Sequence, residues 1–161
     1  SLVCRARVRK PAVVFDAVGT EAVRREGPVD QQGADMLLLR PGGAAVEFDM
    51  LGLEPGEYEL FLDVFALGDE PGVEHGGFVT LDGQLVGCLE PFCADGEDQT
   101  RRVVFPFELP ELSDAERPRV LRVTSAVAPE GEGGVRAPEV FLRLQRVIVK
   151  SVSSAVGMVS A

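Results

Sequence analysis

The side chains most able to do chemistry lie in three acidic stretches. Asp69, Glu70 and Glu74 stand beside His75, Asp95 and Asp98 flank Glu97, and Glu130 and Glu132 follow later. Oxygen-rich loops of this kind supply the ligand set that Ca²⁺ prefers, although none has the spacing of a twelve-residue EF-hand loop. Solvated loop charge is the other reading of the same residues. His75, the one histidine, adjoins Glu74. It reads either as a general acid or base or as a solvated ring in a glycine-rich loop. No G-x-S-x-G elbow and no phosphate loop of the G-x-x-x-x-G-K-[ST] type is present. An acidic chain supplies carboxylate pairs by chance, so such pairs give glycosidase chemistry no particular support. The expectation is a protein that is not an enzyme.

Composition narrows the partners. The 161 residues carry a formal net charge of −10, a field that opposes phosphate backbones and argues against nucleic acid. With 45% hydrophobic residues there is material for a core, yet no apolar run reaches the roughly 18–20 residues of a membrane-spanning helix. The basic start, Ser1 to Lys10, lacks an apolar segment behind it and does not read as an intact signal peptide; a signal already removed stays open. The three cysteines are Cys4, Cys88 and Cys93. Cys88 and Cys93 flank a four-residue stretch that could close a local disulfide, and reduced thiols are an equal reading. With no C-x-x-C and one histidine, zinc is not expected.

These residues must be positioned by strands. The central run is Val46 to Gly87. Within it Tyr58, Leu60, Leu62 and Val64 alternate with Glu57, Glu59 and Asp63, the period of two of a half-buried strand. Asp82-Gly83 between Phe78–Leu81 and Gln84–Leu89 predicts a hairpin. Pro106 inside the alternating run Arg102–Leu109 predicts an edge strand or a bulge. The last long strand, Glu139–Val149, changes parity between Leu144 and Val147, which predicts a bulge near Arg146. Residues 19–33 and 67–77 read as loops, the first with a short amphipathic turn over Glu21–Arg25. Ser113 and Glu116 fit a capping box for one helical turn. The sum is an all-β chain, an antiparallel β-sandwich of jelly-roll type with eight to ten strands. Residues 1–11 read as a basic strand or arm, 12–150 as the sandwich domain and 151–161 as a tail.

The run Gly43–Met50 followed by Leu53-Glu54-Pro55-Gly56-Glu57-Tyr58-Glu59-Leu60, and the hairpin Val79–Gly87, resemble the galactose-binding-like jelly rolls of carbohydrate-binding modules. The resemblance spans roughly residues 12–150. It implies a sugar-binding face with an aromatic platform, and in some members a structural calcium. This chain has no Trp and a single Tyr, and Tyr58 is expected to face inward, so Phe92 is the best exposed aromatic candidate. Asp16 matches the first position of the implied calcium site, while the last strand brings Arg143 and Arg146 instead of acids.

Two functions follow. The first is a structural module docking on protein neighbours in an oligomer or a larger extracellular or virion assembly, as a decoration protein does, its β-prone ends pairing across subunits. The alternative is a carbohydrate-binding module, with or without Ca²⁺. Phe92, His75, Asp95 and Asp98 are the ligand candidates. Asp16, Asp69, Glu70 and Glu74 are the metal candidates.

Overall fold

A computed structural model describes residues 2–9, 13–19, 23–51, 53–110, 119–126 and 140–159, with backbone pairing alone for 2–9 and 153–159. Twelve strands follow one another with no helix among the described residues: β1 (Leu2–Arg9), β2 (Val13–Asp16), β3 (Arg24–Glu26), β4 (Val29–Gln32), β5 (Met36–Leu39), β6 (Ala45–Met50), β7 (Gly56–Ala66), β8 (Glu74–Leu81), β9 (Gln84–Phe92), β10 (Gln99–Leu109), β11 (Arg119–Thr124) and β12 (Val140–Val159).

Strand β12 is the spine. On one edge it pairs with β7 from Arg143 to Val152; along its length it also takes β5, β2 and then β1. Strand β10 pairs with the far side of β7, and β4 with β5. A second ladder runs β9-β8-β11-β6-β3. The two ladders meet where Val140 and Phe141 lie parallel to Glu74 and His75. The expected bulge is present: the register of β12 on β7 shifts between Leu144 and Arg146. The amide of Ala17 donates to the displaced Gln145 carbonyl at 2.9 Å, so the extra residue keeps a partner. Leu142 and Leu144 before the bulge, and Val147 and Val149 after it, all face the core.

The period-two runs bury as expected. Leu60 and Leu62 are fully enclosed, with Tyr58 and Val64 nearly so. They meet Val46, Phe48, Val79, Leu121 and Val123 of the second ladder in one cluster. Phe15 of β2 touches Phe48 of β6 at 5.0 Å between ring centroids, tying the two layers together. Each such aliphatic side chain contributes about 1.5–3 kcal/mol by leaving water. The Tyr58 hydroxyl donates to the Glu54 carbonyl, which fixes the Pro55-Gly56 turn at the start of β7. At the β8–β9 turn both Asp82 (φ 48°) and Gly83 (φ 82°) are left-handed, the geometry of a twist-matched two-residue hairpin. Pro106 sits on β10, which pairs with β7 alone among the described strands.

Several expectations change. Twelve strands replace eight to ten, in part because residues 24–32 form β3 and β4 on either side of Gly27-Pro28 instead of a loop; of the turn expected over Glu21–Arg25, Arg24 and Arg25 are in β3 and its start lies outside the described residues. The sheet is not wholly antiparallel, owing to the β8–β12 contact. Gly76 and Gly77 belong to β8, not to a loop. A Cβ on Gly77 would stand 2.5 Å from the Thr124 carbonyl oxygen, so the glycine answers a close strand approach. The chain ends pair with each other, Leu2 opposite Val159 through Arg9 opposite Val152. The Ser113–Glu116 capping box and the Glu130/Glu132 stretch lie outside the described residues.

Leu62→Ala is expected to destabilise the fold by about 2–5 kcal/mol, whereas Val104→Ala, on the exposed face of β10, should stay within about 0.5 kcal/mol. Urea denaturation of the two variants checks the contrast.

Candidate functional site

Seven of the residues singled out in the sequence converge on one rim. Asp69 and Glu70 lie in the loop 67–73, Glu74 and His75 open β8, Phe92 ends β9, and Asp95 and Asp98 lie in the loop 93–98. The β8–β9 pairing brings the two loops side by side, with His75 opposite Phe92. They are clasped at Gly68. Its amide donates to Asp98 Oδ1 at 2.8 Å, and its carbonyl accepts from the Gly96 amide at 3.2 Å. A Cβ at Gly68 would stand 2.3–2.6 Å from the Glu97 backbone, so only glycine permits the clasp.

Beneath the rim lies a buried charge. The Arg143 side chain is 3% exposed. It donates through Nε to Gln32 Oε1 at 3.0 Å and through Nη2 to both Glu70 oxygens at 3.2–3.3 Å. Glu70 thereby anchors the loop 67–73 to β12. The His75 ring, expected in solvent, is 1% exposed. Its neighbours Gly76 and Gly77 admit the Leu89, Pro91 and Thr124 backbone within 2.5–3.3 Å of where a Cβ would stand. Burial first, then the Arg143 charge, hold its pKa below the ordinary 6.5, with Glu70 opposing. Neither ring nitrogen, nor Arg143 Nη1, has a hydrogen-bond partner among the described residues. Enclosed in this way, His75 cannot exchange a proton with an outside substrate as a general acid or base.

Phe92 is half-buried, not an open platform. The His75 ring packs against it at 5.8 Å, and the Arg101 guanidinium lies over it at 3.7 Å. Arg101 is exposed, steadied by a 3.3 Å hydrogen bond from Nη2 to Gln99 Oε1, and has no ion pair among the described residues. Asp95, Glu97 and Asp98 of the neighbouring loop 93–98 are exposed as well. A planar donor fork next to acceptors suits a ligand rich in hydroxyl oxygens.

Asp16 stands apart, on β2. Its carboxylate accepts from Arg146 Nε at 2.8 Å and borders an open groove of about 360 Å³ with Asp35 and Asp63. Asp63 is held in turn by Arg102 at 2.7 and 2.9 Å. The implied calcium does not fit here. Guanidinium groups occupy the positions beside Asp16 and Glu70, and no group of three His, Cys, Asp or Glu side chains able to hold a metal occurs among the described residues. The Cys88–Cys93 disulfide is not formed. Cys88 lies within β9 and Cys93 one residue past its end, so at about 3.3 Å per residue their α-carbons stand roughly 15 Å apart, beyond the reach of a bridge.

Sequence reasoning missed two residues that shape the rim. Arg101 carries no signal beyond its place next to a strand. Arg143 lies at outward parity between Leu142 and Leu144, and that parity gave no sign that the loop 67–73 covers it.

No protein-family model matches this chain, and no curated protein does. Solved structures do. The CBM35 module of Cellvibrio japonicus Abf62 superposes with a TM-score of 0.54 at 15% identity, over 93% of this chain and 100% of that one. The CBM36-1 domain of a xylanase from the hindgut metagenome of Trinervitermes trinervoides gives 0.52 at 8% identity, over 94% and 100%. An exo-β-1,3-galactanase from Phanerochaete chrysosporium, crystallised with β-1,3-galactotriose, gives 0.54 at 16% identity over 87% of this chain, which spans 29% of the galactanase. At these identities the likeness is one of fold: this chain has the fold of carbohydrate-binding modules.

The buried ring sets a pH dependence. A His held neutral in the folded chain is protonated first in the unfolded one, so its contribution is complete above about 6.5 and is lost as pH falls below that value. The melting temperature of the wild type should therefore drop between pH 7.5 and 5.5 more than that of His75→Phe, as calorimetry would show. Arg143→Ala should destabilise by about 2–3 kcal/mol, toward the low end for a broken buried pair because Glu70 is partly open to water.

Proposed function

We propose that this domain is a non-catalytic carbohydrate-binding module of jelly-roll type, and that the rim formed by loops 67–73 and 93–98 is its glycan face. The observation that carries this reading is the fold likeness to two whole modules over 93% and 94% of the chain. The rim's chemistry agrees with it. Sugar recognition needs donors and acceptors fixed at hydroxyl spacing, and rigid polar groups bind better than floppy ones because less freedom is lost. Arg101, its guanidinium 3.7 Å above the Phe92 ring, is the fixed donor; Asp95 and Asp98 are the acceptors. Phe92 acts as the support for Arg101 and not as a bare stacking platform. His75 lies below this face and makes no ligand contact.

The other function read from the sequence, a virion or assembly component, gains no support from the fold likeness. An extracellular setting accompanies the glycan-binding reading, because polysaccharides are met there. None of the helices that would cross a membrane is present among the described residues.

Affinity electrophoresis against a panel of soluble plant and microbial polysaccharides tests the proposal. At least one should retard the protein, and Arg101→Ala should weaken retention about tenfold, the equivalent of roughly 1.4 kcal/mol. Arg24→Ala, on the surface ion pair with Asp49 across β3 and β6, should leave it unchanged. Retention of no polysaccharide, or retention indifferent to Arg101, would overturn the assignment.

A further inference from the structure

We propose that His75 is a pH-sensitive latch: when its ring takes up a proton, the Glu70–Arg143 clamp loosens and the two rim loops part. The consequence for ligand release rests on the reading of that rim as a glycan face; the latch itself does not.

The geometry leaves the protonated ring no comfortable place. Neutral imidazole brings one N–H into the interior, whereas the cation brings two and a full charge. At 1% exposure, with no hydrogen-bond partner among the described residues for either nitrogen, the ring has no acceptor waiting. Among the described residues the charged groups around it are few. From β12 comes Arg143, a cation 3% exposed, and from the loop 67–73 comes Glu70. From β9 comes the uncharged Phe92, whose ring carries Arg101 of β10. Asp98 of the second loop binds the Gly68 amide and not the ring. Glu74, on His75's own strand, is exposed. Protonation therefore sets two buried cations in competition for one carboxylate.

Glu70 is the point of failure. Its side chain is 38% exposed and sits on a loop, so it can shift from Arg143 toward the protonated ring and admit water, whereas Arg143 and His75 are enclosed. Two residues before Glu70 stands Gly68, the clasp to Asp98 and Gly96. Release of Glu70 from Arg143 frees the stem of the clasp, and the disturbance passes to the loop 93–98, next to Arg101. Buried histidines that titrate in a bistable contact act this way in pH sensors.

Amide hydrogen exchange by NMR on the whole, unliganded chain tests the latch, with the Leu62 amide as a core reference. Protection factors of Gly68 and Gly96, which already allow for the intrinsic pH dependence of exchange, should fall several-fold between pH 7.5 and 5.5 in the wild type. That of Leu62, which opens only with the whole chain, should stay well above both at either pH. In His75→Phe the fall at Gly68 and Gly96 should vanish; His75→Gln, polar and non-titrating, serves if the phenylalanine variant does not fold. A wild-type fall that persists in these variants assigns the effect to the loop carboxylates and overturns the proposal, as does a wild type whose loops stay protected. Polysaccharide retention at both pH values is read separately. If nothing is retained at either pH, the glycan reading fails while the amides still decide the latch.

Discussion

The fold depends on one strand having partners along both edges. From Arg143 to Val152, β12 gives hydrogen bonds to β7 on one side, and β5, β2 and β1 take successive lengths of the other. Its first two residues reach the second ladder through β8. A buried strand that left either edge open would strand a row of amides and carbonyls without water, at a cost no core could offset. The Gln145 bulge lets the strand remain continuous while its inward face changes parity, so that Leu144 and Val147 both reach the same core. The rim is a by-product of this arrangement. Because β12 begins beside β8, Arg143 and His75 are buried within one patch, and the loop 67–73 is the element available to neutralise them.

That patch sets the character of the site. Two of the four carboxylates read as metal candidates are already engaged, Glu70 with Arg143 and Asp16 with Arg146, and Asp63 is held in the same way by Arg102. In an acidic chain the arginines act as internal counter-ions, each locking a loop or an edge to the strand beneath. Arg101 is different in having an aromatic ring for its support. An arginine stacked on an aromatic ring keeps its plane and loses little freedom when it donates, which is why it, and not the histidine, stands at the centre of the proposed recognition.

Much of the scaffold was legible in the sequence, because alternation is a direct record of burial. Tyr58 to Val64, the Asp82-Gly83 turn, Pro106 at an edge and the parity change near Arg146 are local patterns with local causes. What escaped was non-local. Gly76-Gly77 looks like a loop unless one knows that the Thr124 carbonyl passes within touching distance. His75 looks solvated unless one knows that two loops close above its strand. Strands β3 and β4 are three and four residues long and poor in apolar side chains, so tertiary pairing and not propensity creates them. Clustering of acids near His75 was visible, but which acids of the chain were neutralised depended on arginines 39 to 130 positions away.

Strand β10 carries a consequence for behaviour in concentrated solution. A long sheet border with unsatisfied amides is a template on which a second molecule can grow a ladder, and repetition of that step yields fibrils. Here the border is interrupted midway by Pro106, which supplies no amide hydrogen, and it is studded with Arg101, Arg102 and Glu108. Stacking of copies along it would have to skip a rung at Pro106. Among the described strands only β7 pairs with β10, and the missing rung opposes growth of a ladder on its other side.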